Sequence, residues 1–286
     1  MDIGVGLPNA VVGTSGEQII EFARRAERRG FSTLGTLDRI VYDSHEPLVA
    51  YGAAAAVTER IRLTTAILVG PPRGNDVLLA KQALTVQALS GGRLTLGIAI
   101  GARDDDCEAS GVPTSGKGAR FEKELETIRR VWGGEEFGYA GRVGPAVDPP
   151  SLVLGGASED TFKRAAKYGD GWIQSAVGPD GFPAGAEAMR QAWEAEGREG
   201  EPRLMSIGYY GLGPNAEADA ERDLKHYYAW LGDEVAGMIA ASTPTDEESV
   251  KQMIDAFAEV GCEELVLFPV ASDPEQVDLL ADVAGL

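Results

Sequence analysis

The chain has 286 residues, 44% of them hydrophobic, and a formal net charge of -19. That content supplies a large core, and although two domains would fit the length, an α/β barrel of about 250 residues folds as one. The charge speaks against a nucleic-acid partner, the lack of any run of about 18 apolar residues against a membrane span, and the presence of only Cys107, Cys262, His45 and His226 against a disulfide framework or a Cys/His metal centre.

The chain opens on Met1-Asp2-Ile3-Gly4 with strand-like alternation and no basic leader, which points to a cytoplasmic protein without a signal peptide. The first strand is expected over residues 3–8 and stops at Pro8. A capping box of Ser15 with Gln18 opens the next helix and Gly30 closes it. A second strand over 32–37 runs into Asp38 and Arg39, and Glu46-Pro47 starts another helix. Further strands are expected over 61–69 and 94–100. Phe121, Leu125, Ile128 and Trp132 then form one face of a helix. The Gly/Pro-rich stretch 133–150 reads as an excursion before the fifth strand.

That fifth strand, over 152–154, runs straight into Gly155-Gly156-Ala157-Ser158. The paired glycines allow a tight turn and close approach of backbone to a ligand. Ser158 is placed to cap a helix that ends at Gly169. Such a junction suits a phosphate, although Glu159 and Asp160 also answer the helix dipole without any ligand. Strands over 172–176, 204–212 and 265–270 complete the set. Thr245 with Glu248 is expected to cap the helix stopped by Gly261, and Asp273, Pro274 and Gln276 open the last helix.

Eight strands, each followed by a helix, predict a single-domain (β/α)8 TIM barrel over residues 1–286. An open doubly wound sheet is the competing architecture, but Gly4-Val5-Gly6-Leu7-Pro8-Asn9 lacks the last glycine of a dinucleotide fingerprint. In a barrel the site lies at the C-terminal strand ends. Those ends carry no lysine for a Schiff base, no metal-binding cluster and no Gly-x-Ser-x-Gly elbow. Asp38 and Asp104 are a possible carboxylate pair, but the strand ends are poor in the aromatics of a glycosidase cleft. Small residues, hydroxyls and a few arginines remain, which leaves room for a flat organic cofactor.

Several segments together resemble the bacterial luciferase-like monooxygenase superfamily, whose members are flavin- or deazaflavin-dependent (β/α)8 oxidoreductases. They are Gly30 to Arg39, Thr58 to Ile67, Leu79-Ala80-Lys81-Gln82, Leu89-Ser90-Gly91-Gly92-Arg93-Leu94, and Leu154-Gly155-Gly156 leading to Gly169-Asp170-Gly171-Trp172. The resemblance implies a cofactor across the barrel mouth: reduced FMN, with coenzyme F420 as the alternative. It implies cofactor contacts at Leu7, Thr65, Ala66, Ile67, Gly101, Arg103, Gly155, Gly156, Ala157 and Ser158, and a non-prolyl cis bond at Ala66-Ile67. Asp38, Arg39 and His45 are the candidate catalytic residues. Arg39 stands where the family often has a histidine, and Ile100 where some members have a phosphate-binding arginine, a role that Arg103 or the helix N-terminus would take over.

The function expected on this basis is a flavin-dependent monooxygenase acting on a small organic substrate, served by a separate flavin reductase. An F420-dependent hydride-transfer enzyme is the alternative, and a non-catalytic flavin-binding protein is the reading from another class. Each candidate also has a plainer reading: Asp38 and Arg39 as a salt bridge that fixes a loop, His45 as a loop residue, and His226 as part of a packed or interfacial helix face. A homodimer is expected, because residues 48–57 and 77–80 are apolar nearly all round their helices.

Overall fold

Nine parallel strands alternate with helices in the computed structural model, which describes residues 1–286, the side chain of Ala140 aside. The strands are β1 (Asp2–Gly6), β2 (Thr33–Thr36), β3 (Arg62–Thr65), β4 (Leu68–Val69), β5 (Leu94–Ala99), β6 (Ser151–Gly155), β7 (Gly171–Gln174), β8 (Arg203–Tyr210) and β9 (Glu264–Pro269). The helices are α1 (Gly16–Arg29), α2 (Pro47–Ala55), α3 (Asp76–Leu89), α4 (Asp105–Ala109), α5 (Lys117–Trp132), α6 (Glu159–Tyr168), α7 (Phe182–Ala195), α8 (Ala216–Tyr227), α9 (Asp233–Ala241), α10 (Glu247–Glu259) and α11 (Glu275–Ala284).

The order β3-β2-β1-β9-β8-β7-β6-β5 is closed by β3–β5 pairing at Leu63 with Leu94 and Thr64 with Thr95. Strands β3 and β4 are one barrel stave, interrupted at the cis Ala66-Ile67 bond. The structure is therefore the eight-stave barrel read from the sequence. Where the stave breaks, the Thr65 hydroxyl accepts from Gly97 N–H at 2.8 Å and donates to Gly97 C=O at 2.7 Å. The side chain supplies the pairing that the backbone ladder loses there.

The core has two layers, as alternation along a barrel strand requires. Val5, Leu7, Leu34, Leu63 and Leu96 pack outward under the helices. Val153, Ile173, Met205, Ile207, Val266 and Phe268 fill the interior. A Cβ on Gly6 would lie 2.1 Å from the Phe268 ring, so the Gly-Val-Gly-Leu pattern of β1 puts hydrogen inside and aliphatic carbon outside. The end opposite the mouth is plugged by buried Glu264, which pairs with Arg203 and, at 2.9 Å, with Arg62.

Most helix signals hold. Ser15 and Gln18 form the capping box and Gly30 the left-handed C-cap. Ser158 caps α6, and Glu46 with Pro47 opens α2. The start of α10 differs from the expected Thr245–Glu248 pair. Asp246 is the cap, accepting from Ser249 N–H at 2.9 Å. A carboxylate one residue on, with a hydroxyl three residues further, makes the same reciprocal box.

Candidate active site

At the C-terminal ends of β4 to β8 lies a cavity of about 290 Å³, lined by Ala66, Ile67, Ala99, Ile100, Gly101, Ala102, Gly155, Gly156, Ile173, Gln174, Ser175 and Ile207. Its surface is nearly all apolar, and Ala102, Gly156 and Ser175 on its edge are exposed. Larger hollows lie on the outer helix surface, such as the groove between α6 and α7. The mouth cavity is the one with barrel-site geometry.

Two features shape its wall. A Cβ at Gly155 would stand 2.3 Å from Ile67 Cδ1, so the bare backbone of β6 lets Ile67 lie against it. Gly156 has φ +132, which disfavours other residues, and a Cβ there would also meet Thr161 Oγ1 at 2.7 Å. The turn is fixed from behind by Trp172, whose indole N–H donates to Gly156 C=O at 2.7 Å. Ser158 spends its side chain on capping, accepting from Thr161 N–H at 3.2 Å. The ligand donors left at this corner are backbone N–H groups of the first helical turn. Glu159 and Asp160 flank them and are balanced by Lys163 at 2.5 Å and Arg164 at 4.0 Å.

Of the expected cofactor contacts, Ala66, Ile67, Gly101, Gly155 and Gly156 line the cavity, with exposed Ala157 and Ser158 directly after it. Leu7 is buried in the outer core layer and Thr65 is bound to Gly97. Arg103 is engaged by Asp106 and, at 3.2 Å, by Asp105. Lining residues not anticipated from the sequence are Ala99, Ala102, Ile173, Ser175 and Ile207, and Ile100 lines the cavity where the resemblance puts an arginine in some members. An inward aliphatic at a strand end carries no local mark that separates it from core.

The three candidate catalytic residues do not converge on the cavity. Asp38 is buried and accepts from Arg73 Nη2 at 2.8 Å and from Val69 N–H at 2.9 Å. Arg73 reaches Glu46 as well, at 2.6 Å. Burial pushes the Asp38 carboxyl up, and the Arg73 guanidinium pulls it back. Asp38 thus anchors the segment after β4 through Arg73. The Arg39 Nη1 donates to Tyr227 C=O at 2.6 Å, and its guanidinium lies 4.4 Å from the Tyr42 ring centroid. Burial, and then the neighbouring Arg103 charge, lower its pKa. His45 Nε2 sits 2.7 Å from Thr14 C=O, within the loops after β1 and β2. Its backbone is held by Asn9, whose side chain also bonds Leu37 N–H and C=O.

The end of α8 covers the remaining part of the mouth. Tyr227 and Asp223 lie with Leu7, Leu37, Tyr209 and Phe268 around a gap of about 10 Å³. His226, on the exposed side of α8, packs its ring against Tyr42 with centroids 5.3 Å apart, and its Nδ1 is 2.8 Å from the Tyr42 hydroxyl. Among the described residues no cluster of metal-ligating side chains occurs, and no helix is long and apolar enough to cross a membrane.

The model of the luciferase-like monooxygenase family matches residues 1–279. An uncharacterized protein of Mycobacterium tuberculosis is 34% identical over 173 residues, 57% of this chain and 61% of that protein. An F420-dependent glucose-6-phosphate dehydrogenase of Beutenbergia cavernae is 29% identical over 173 residues, 54% of this chain and 51% of its own. These matches thus span between half and two thirds of the relatives' lengths. Among solved structures, an F420-dependent secondary alcohol dehydrogenase with an F420–acetone adduct superimposes with TM-score 0.79 at 18% identity, over 99% of this chain and 97% of that one. The oxygenating constituent of 3,6-diketocamphane monooxygenase of Pseudomonas putida, with FMN, gives 0.72 at 15%, over 98% and 96%. The chain belongs to the luciferase-like monooxygenase family of oxidoreductases.

Proposed function

We propose that this protein is an F420-dependent oxidoreductase that transfers hydride between the deazaflavin and an apolar organic carbonyl or alcohol. The observation that carries this reading is the mouth cavity, apolar on its walls and open along the Ala102–Gly156–Ser175 edge. Its size is at the lower end of small-molecule sites, about 300–1,000 Å³, which suits one ring system with the rest of the cofactor outside. The apolar wall made by Ile67 lying on Gly155, and the open turn at Gly156 with its positive φ, fit a ring laid against that wall with its phosphate at the α6 N-terminus. The deazaflavin would supply the hydride chemistry when bound.

The protein's residues would do the rest. Ile67, Ile100, Ile173 and Ile207 would hold the ring in an apolar slot, and Trp172 would keep the Gly156 turn in place. Exposed Val177, two residues past the cavity residue Ser175, and exposed Trp230, beside Arg103, suit an apolar substrate body better than a sugar phosphate. F420-dependent relatives of 25% and 29% identity support the choice of the deazaflavin.

Titration of the purified chain with F420 and with FMN, followed by cofactor fluorescence, tests the reading. Preferential F420 binding, and reoxidation of reduced F420 by a ketone, are expected. Preference for FMN with oxygen uptake would return the protein to the monooxygenases. Cofactor binding without turnover of any carbonyl or alcohol would leave a binding protein.

A further inference from the structure

We propose that the hydroxyl of Tyr228, backed by that of Tyr209, is the donor that binds the substrate's oxygen and gives it a proton. This rests on the hydride-transfer reading above. The two phenol oxygens are 2.7 Å apart, and among the described residues neither has another hydrogen-bond partner. Two hydroxyls carry two protons, and a single mutual bond uses one of them. One O–H is therefore left without a protein acceptor. A donor left over at the barrel mouth is free to meet a ligand's acceptor.

Its position fits the mouth. Tyr209 follows Ile207 by two residues on β8, so both point to the inner face, and Ile207 lines the cavity. Tyr209 is 7% exposed, whereas Tyr228, just past α8, is half-buried and within reach of solvent. Tyr228 and the cavity residue Ile67 pack against the same interior cluster. Either hydroxyl can donate in this pair; with Tyr209 donating as the inner partner, the Tyr228 proton is the free one.

The ligand must accept a hydrogen bond. Burial pushes both phenols up, the more so Tyr209, which keeps them protonated near neutral pH. They are donors there and not bases. The Tyr209 hydrogen bond, and then the charges of Arg103 and Arg39, pull the Tyr228 pKa part of the way back. The mouth offers no histidine for this task, because His45 is tied to Thr14 and His226 to Tyr42.

The step balances as follows. The carbonyl carbon takes a hydride from reduced deazaflavin and forms a C–H bond. The C=O π pair moves to oxygen, which takes the Tyr228 proton. The carbonyl is reduced by two electrons to an alcohol, and the cofactor is oxidised by two. The Tyr228 phenolate, stabilised by the Tyr209 O–H, regains its proton from solvent. Tyr228 is the catalytic residue, and Tyr209 a positioning residue that acts through it.

The test compares cyclohexanone with methylenecyclohexane, which has the same shape but a far weaker acceptor, in binding to the protein loaded with oxidised F420. Saturation-transfer NMR and quenching of cofactor fluorescence read the two affinities. The wild type is expected to prefer the ketone by about tenfold, the size of one good hydrogen bond. Tyr228→Phe should bring the ratio close to one while its F420 affinity stays within about twofold. Tyr209→Phe, which keeps the donor but frees it to swing, should give an intermediate ratio and a smaller loss in ketone-dependent turnover. A wild type that ignores the oxygen, or a folded Tyr228→Phe that keeps the preference, overturns the proposal and leaves the cofactor reading standing. Failure of the wild type to bind F420 overturns both.

Discussion

The indole N–H of Trp172 donates to the carbonyl of Gly156 at 2.7 Å, which ties the start of β7 to the turn that ends β6. A buried aromatic thereby sets the geometry of a backbone corner on the cavity rim. Trp172→Phe keeps much of the packing and removes the bond. A loss of about 1 kcal/mol in stability is expected, with about threefold to tenfold weaker cofactor binding. Urea denaturation and cofactor titration measure the two effects. Unchanged cofactor affinity would detach the corner from the cofactor site.

The corner itself makes a stronger test. Gly156→Val places a branched side chain at φ +132 and against Thr161. We expect a folded but less stable protein whose cofactor affinity falls more than about tenfold, or about 1.4 kcal/mol. Circular dichroism reports the fold and fluorescence titration the affinity. Equal affinity for the two proteins would remove the phosphate assignment from this turn.

Glu124 on α5 is buried, with one carboxyl oxygen left without a partner, and its pKa is pushed up to about 8 by burial and then by Asp76. The folded protein therefore holds a proton that the unfolded chain releases near pH 4.5. Stability from this group is full below pH 4.5 and falls as pH rises toward 8, by about 1.4 kcal/mol per pH unit in that window. Glu124→Gln mimics the protonated acid. Its urea midpoint should match wild type near pH 4.5 and exceed it increasingly toward pH 8. Parallel pH profiles for the two proteins would show that this carboxyl is not the titrating group.

Among the described residues, Arg73 is the sole cation bonded to both Asp38 and Glu46. Arg73→Met would leave the Asp38 carboxylate buried and unpaired, at a cost of about 3–5 kcal/mol. Asp38→Asn with Arg73→Met should recover part of that loss. If the double variant is no more stable than Arg73→Met, burial of the Asp38 charge is not what the arginine offsets.

Val49 on α2, and Leu78 and Leu89 on α3, are 70%, 49% and 61% exposed. The apolar stretches singled out in the sequence, 48–57 and 77–80, therefore keep uncovered residues at Val49 and Leu78 after the barrel has formed, and Leu89 at the end of α3 adds a third. We expect these helices to bury more than about 1,200 Å² in a homodimer. Leu78→Glu should shift the light-scattering mass from dimer to monomer at micromolar concentration. A monomeric wild type would defeat this expectation.

The architecture was legible because it rests on local patterns. Apolar runs bounded by Gly, Pro and capping residues mark β1, α1, β6 and α6, and a parallel barrel needs little more than their alternation. The Gly155-Gly156 corner was legible for a similar reason: the paired glycines at a strand–helix joint have a local conformational meaning. The cavity wall was not. Ile100, Ile173 and Ile207 look like any core aliphatic, and only closure of the barrel decides which strand face is the interior. The roles of Asp38, Arg39 and Arg103 also lay beyond the sequence. Each stands at a strand end as expected, but its charge is claimed by Arg73, by Tyr227 and Tyr42, and by Asp105 with Asp106. Partner choice of that kind is settled by which loops meet in space. Tyr209 and Tyr228 make the same point. They are nineteen positions apart, on a strand and beyond a helix, and only the fold of α8 over the mouth brings the two hydroxyls within 2.7 Å.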